Sequence, residues 1–311
     1  MKLPLYEKRR KLVSQIPNFW PLVFEQAPPD IDEFIQPSDS SLLLNSLTSL
    51  SVTRFEIEDG KNGDPRNLCF RFEFSDNDHF EDKVIEKKFW QRHSKSGWTG
   101  LVSEPVEIQW KKGKDLTGGL LGTVKKVFDA QQARAKGGDT KTQEITADEK
   151  SLKKKIENTG LGGLSFFAWF GYVGRNVTAE ESQEALDRAQ KQRIAKQEAK
   201  DQNPDGEDEK EEEEEEEDDD DEDDENDLEI FPEGDSLAIH ISEDLWPNAI
   251  KYFSKCVNVP PRSELFAQYP TAQAQEQDEV SDDDFESDAD DDNKEDEEVS
   301  EEEPPAKRRK T

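Results

Sequence analysis

The sequence predicts an α+β fold: a four-stranded antiparallel sheet with helices covering one face. Three observations carry this reading. Short segments after residue 50 alternate apolar and polar residues with period two, as strands half-buried in a sheet do. Short apolar stretches at helical spacing flank them on both sides. The charge is also segregated: of 75 Asp and Glu residues, 21 fall in residues 205–229 and 18 in 276–303, each stretch holding one basic residue. Outside those stretches the 311-residue chain has 36 acidic and 39 basic residues, a near-neutral body of about 250 residues. A body of that size can bury a core, as one domain or two closely packed ones. The formal charge of −34 and hydrophobic content of 31% therefore describe a folded body with two polyanionic segments. They do not describe a uniformly disordered chain.

Each element follows in order. Residues 5–16 put Leu5, Leu12 and Ile16 near one helical face, with Lys8, Arg9, Arg10 and Lys11 on the others. Pro17 interrupts, and Phe19, Trp20, Val23 and Phe24 form the apolar stripe of a short helix. Ser38 and Asp39 are N-cap candidates for a helix within 38–50. The first strand is expected at 51–58, through Val52, Phe55 and Ile57, with a DGKNGD turn at 59–64. In 68–75, Leu68, Phe70, Phe72 and Phe74 share one face while Arg71 and Glu73 take the other. Residues 83–91 and 105–110 are expected to supply the third and fourth strands. Residues 111–155 hold twelve Lys and Arg and one aromatic, Phe128. They read as a long basic loop, 111–160, with a helix near 120–135. SFFAWF at 165–170 is a short apolar helix. Thr178 and Glu181 have capping-box spacing for a polar helix over 178–201. Residues 236–241 are strand-like and 243–253 helical around Pro247, and the chain beyond about 262 has the composition of a disordered tail.

Catalytic patterns are missing. His79, His93 and His240 stand far apart and in no metal-ligand spacing, so no metal or other cofactor is expected. Cys69 and Cys256 read as small buried hydrophobes and form no CxxC pair. Gly113-Lys114 is followed by Asp115, which excludes a phosphate loop. The chain is not expected to be an enzyme. No apolar run reaches the ~18 residues that cross a bilayer, and the N-terminus has no secretory apolar region.

Electrostatics remains. Residues 211–225 are fifteen consecutive carboxylates, including Glu211, Glu212, Glu213, Asp218, Asp219 and Asp220. Self-repulsion extends such a run, giving about one charge per 3.4 Å, the per-strand spacing of DNA and about half the density of the duplex. A polyanion of that density attracts strongly basic partners and can still surrender them to DNA. Its bland counterpart is a solubilising tail. A second acidic cluster includes Asp282, Asp283 and Asp284. Ser281, Ser287 and Ser300 each have an acidic residue three positions on, the preference of acidophilic kinases. Lys307, Arg308, Arg309 and Lys310 close the chain as a nuclear-import motif, which implies an import receptor and a nuclear protein that can shuttle with the cytoplasm.

Five motifs occur in sequence: IPNFWP at 16–21, HFEDKVIEKKF at 79–89, IQWKKGKDLT at 108–117, SFFAWF at 165–170 and EDLWPNAIKYF at 243–253. Together, over about residues 5–255, they resemble the nucleosome assembly protein family, on the side of its SET (template-activating factor) branch. The resemblance implies an earmuff-shaped α+β domain, dimerised through a long N-terminal helix, that binds core histones through its underside and acidic tails. It also implies that some members bind duplex DNA, mask histone tails from acetylation, assist a histone acetyltransferase or inhibit protein phosphatase 2A. Here about fifteen residues precede IPNFW, too few for several heptads of contact, so the expectation is a truncated dimerisation helix, with either a mis-assigned or truncated start or a poorly dimerising protein.

The expected organisation is a helix remnant and adjoining short helix (1–26), a histone-binding domain (27–204 and 228–262), a polyacidic insertion (205–227) and an acidic tail (263–311). The expected function is a histone chaperone assisting nucleosome assembly; the alternative is a non-catalytic inhibitor of a phosphatase or acetyltransferase acting by occlusion. Glu243 and Asp244 join the acidic residues above as histone-binding candidates. Lys111, Lys112 and Lys114 are a weak duplex-DNA patch or a solvated loop.

Overall fold

The computed structural model describes residues 3–57, 63–137, 146–159, 163–202 and 228–257, all within one compact unit spanning Met1–Pro260. Its centre is an antiparallel sheet of β1 (Leu47–Thr53), β2 (Leu68–Phe74), β3 (Val84–His93) and β4 (Thr99–Ser103), in that order. The register places Leu50 opposite Phe72 and Phe72 opposite Ile85, so the apolar rows of three strands meet on one face. Alternation in β2 runs as the sequence reads: Phe70 and Phe72 are fully buried, while Arg71 and Glu73 are half-buried on the other side.

Two strands differ from the sequence reading. The first begins at Leu47 rather than 51 and ends before Phe55 and Ile57. A register irregularity between Leu47 and Ser49 lets both Leu47 and Leu50 face the core, which gives a strand the three-residue spacing of a helix. The fourth strand is Thr99–Ser103, not 105–110. A tight turn makes it: Ser94 N donates to Trp98 O at 2.8 Å and Gly97 adopts φ 87°, so β3 folds directly back. Residues 105–110 then leave the sheet. Pro105 has no N–H to offer, Val106 N donates to Phe170 O, and Trp110 makes one isolated bridge with Phe80.

Helices cover the apolar face. α1 spans Leu3–Val13, α2 Phe19–Glu25, α3 Pro29–Asp32 and α4 Pro37–Ser46. In α4 the N-cap is Gln36, and Asp39 sits at the third helical position rather than at the cap. On α1 the expected apolar face is outward: Leu5 and Leu12 are 65% and 66% exposed, and Val13 is buried instead.

The basic segment after Trp110 holds two helices, the one expected near 120–135 and a second in what reads as loop. α5 (Leu120–Gly137) buries Leu120, Leu121, Val124 and Val127, and α6 (Ala147–Thr159) buries Leu152. Thr146 N donates to Glu149 Oε2 at 2.6 Å and Glu149 N to Thr146 Oγ1 at 3.1 Å, a reciprocal cap that starts α6. α5 is the helix expected near 120–135; high lysine content masked α6, whose lysines Lys150, Lys153 and Lys154 occupy its outer face.

The 3-10 helix Phe166–Gly171 is the keystone of the core, with Phe166, Phe167, Trp169 and Phe170 all fully buried. Trp169 packs at 5.2 Å from Phe70 and 5.3 Å from Phe89, and its Nε1 donates to Gly234 O at 2.8 Å. Gly234 is required there, since a Cβ would overlap the Tyr172 ring. α7 (Ala179–Gln202) starts on Thr178, whose Oγ1 accepts from Glu181 N at 3.1 Å, as the spacing predicts.

After 228 the chain forms α8 (Gly234–His240), a π-turn (Ile241–Leu245) and α9 (Ala249–Val257). The strand-like reading of 236–241 fails because Leu237, Ala238, Ile241 and Leu245 are buried at helical, not alternate, spacing.

Candidate functional site

The acidic insertion lies in the chain between α7 and Glu229. On the N-terminal side α7 lies against β3, with His93 N donating to Ser182 Oγ at 3.0 Å. On the C-terminal side Glu229 turns inward. Its Oε2 accepts from Val173 N and Gly174 N, both at 2.9 Å, and its Oε1 from Phe231 N at 2.9 Å. Burial pushes the Glu229 carboxyl up, while the three N–H groups and Lys87 oppose that shift.

Lys87 is the partner that the sequence reading passed over. It lies on β3 between Ile85 and Phe89 and is fully buried. Its Nζ donates to the carbonyl oxygens of Tyr172, Glu104 and Phe170 at 2.6, 2.8 and 3.1 Å. Burial lowers its pKa to about 7, against the pull of Glu229 and Glu104. The signal was present, since strand alternation places Lys87 in the inward row. Three convergent carbonyls and an adjacent carboxylate are what make that row tolerable for an amine.

Asp39, noted only as a cap candidate, is a second buried junction. Its carboxylate accepts from Ser165 Oγ at 2.6 Å, Phe166 N at 2.7 Å and Gln36 N at 3.0 Å, tying α4 to the start of the 3-10 helix. Burial pushes its pKa up and the three donors hold it down.

The proposed contact residues fall into separate places. Glu243 is exposed in the π-turn, whereas Asp244 accepts from Tyr252 OH at 2.6 Å and Asn248 Nδ2 at 2.8 Å. The Tyr252 bond holds the Asp244 carboxyl below its usual range, so this carboxylate braces the turn against α9. The adjoining Trp246 and Pro247 carbonyls accept from Arg9 of α1 at 2.6 and 3.2 Å. Lys111 Nζ donates to Asn77 O at 2.6 Å and lies 3.8 Å from Glu81, while Lys112 and Lys114 are exposed. Glu211, Glu212, Glu213, Asp218, Asp219, Asp220, Asp282, Asp283, Asp284, Ser281, Ser287, Ser300 and Lys307 to Lys310 lie outside the described residues. Among the described residues no group of three or more His, Cys, Asp or Glu could hold a metal ion, and no helix is long and apolar enough to cross a membrane.

Residues 4–255 match the family model described as "Nucleosome assembly protein (NAP)". The chain belongs to the nucleosome assembly protein family. Similar to this family member are Protein SET of Drosophila melanogaster, 36% identical over 125 residues, and NAP1-related protein 2 of Arabidopsis thaliana, 31% identical over 120. Each match covers 39% of this chain, and 43% and 42% of those proteins, so the chain spans less than half the length of the curated relatives it matches. Among solved structures, Vps75 is similar at a TM-score of 0.46 and 20% identity, covering 82% of this chain and 85% of that one. Ccp1 is similar at 0.45 and 24%, covering 84% and 85%.

Proposed function

We propose that this nucleosome assembly protein is a nuclear histone chaperone whose polyacidic segments shield the basic surfaces of core histones and release them as duplex contacts replace the carboxylates. The observation that supports the proposal is the position of the acidic run in the chain, between α7, whose first turn packs on β3, and Glu229, which is bound inside the folded unit. Fifteen consecutive carboxylates in a segment that joins that unit on either side would present a high effective concentration of negative charge to a histone engaged there. Exposed Glu243 adds a fixed charge, and Asp244 serves as its brace. Duplex DNA contact by Lys112 and Lys114 is a secondary feature of the same reading, with Lys111 holding their turn to the 77–81 segment.

Light-scattering mass determination on the full chain, alone and with core histones at near-physiological salt, tests the proposal. A defined histone complex is expected. Failure to gain histone mass would sink the chaperone reading, and the mass of the chain alone reads its oligomeric state against the 35.6 kDa protomer.

A further inference from the structure

We infer that the cleft between α2, α3 and α4 docks a basic peptide segment that inserts one aliphatic or aromatic side chain. Phe24, Ile35, Leu43 and Leu44 give it an apolar lining, Glu25 and Asp32 stand on it as carboxylates, and its volume is about 190 Å³. That volume is below the ~300 Å³ lower end of small-molecule pockets and suits a single side chain. Leu44 is 46% exposed, leaving apolar surface for such a side chain to cover.

Charge selects the flanks of the occupant. From Leu12 to Thr53 the chain has no Lys, Arg or His, and α2, α3 and α4 all come from that stretch. Glu25, Asp30, Asp32 and Glu33 are all exposed, and among the described residues none of the four is in an ion pair. A phosphate-bearing or acidic partner is repelled here, whereas a Lys- or Arg-flanked apolar residue satisfies both the rim and the floor. The inference rests on the reading of this chain as a binder of basic proteins. To diffuse attraction it adds one discrete, shape-dependent contact that salt weakens less.

The test uses the full chain and two fluorescein-labelled heptapeptides. One has a leucine between three basic residues on either side; the other has serine in place of that leucine. The leucine peptide is expected to bind the wild-type chain about tenfold tighter and to shift the methyl resonances of Ile35 and Leu43. Leu44→Ser, which changes a half-exposed position, should erase the difference between peptides while leaving the serine peptide unaffected. The pair Glu25→Lys and Asp32→Lys should weaken the leucine peptide further. Equal binding of the two peptides to wild type, or a difference that survives Leu44→Ser, overturns the cleft while leaving the charge-driven reading standing. Binding of neither peptide overturns both.

Discussion

At the scale of single residues, Lys87 is a fully buried amine among the aromatic side chains of the core. A buried ammonium is costly unless its donors are matched, and here three carbonyl oxygens accept them while the Glu229 charge favours the protonated form. Lys87→Met keeps the length of the side chain and removes the donors, taking that partner from the Tyr172 and Glu104 carbonyls and the neighbouring positive charge from the buried Glu229 carboxylate. We expect a loss of about 3–5 kcal/mol, read as a lower urea midpoint at unchanged slope. The pH dependence has a definite sign. With a folded pKa of about 7 and an unfolded value of 10.5, the unfolded chain binds the extra proton between those values. Stability contributed by this group therefore rises as pH climbs from 7 towards 10.5, and below 7 it is flat. Urea titrations at several pH values across that window should show the rise in wild type and lose it in Lys87→Met. An unchanged pH slope in the variant would remove Lys87 from the account.

At the scale of elements, packing decides between helix and strand where short patterns are ambiguous. Phe70, Phe72, Phe166 and Trp169 were legible as core because long aromatic runs have one use in a chain with so few apolar residues. Leu47 and Leu50 were read as helix because a bulge makes strand spacing look helical, and Leu237 and Ile241 were read as strand because a six-residue window cannot separate the two periods. Arg9 shows the other limit. As one of four basic residues on α1 it reads as solvated, yet it stacks 4.4 Å from the Trp246 ring and 4.8 Å from Tyr6 while donating to two carbonyls. No local pattern announces a contact spanning 237 residues. Arg9 is thus the peg that seats α1 on the π-turn. Arg9→Ala should lower the local opening free energy of α1 by about 2 kcal/mol, about 30-fold in amide exchange, with α5 and α6 unchanged. Arg9→Lys should recover only part of this, since an ammonium lacks the planar fork. Exchange rates in α1 that ignore both substitutions would show the helix is held elsewhere.

At the scale of the whole molecule, the body and the acidic segments divide the work. Outside residues 205–229 and 276–303 acidic and basic residues nearly balance, so under the proposed function the long-range attraction of a basic partner would come almost entirely from those segments. Replacing residues 211–225 with a Gly/Ser run of equal length keeps Gln202 and Glu229 in place and changes the formal charge from −34 to −19. Tm should hold, because the Glu229 hydrogen bonds and the α7 packing are retained. Core-histone affinity at about 150 mM salt should fall at least tenfold, and the dependence of log affinity on log salt should become shallower, because fewer counterions are exchanged on binding. Titrations between low and high salt on both proteins measure the two slopes directly. Equal slopes would place the histone contacts on the folded surface around Glu243 and the α2–α4 cleft and leave the carboxylate run a solubilising role. A shallower slope with lower affinity would instead make the polyanion the working part and the aromatic core its rigid mount.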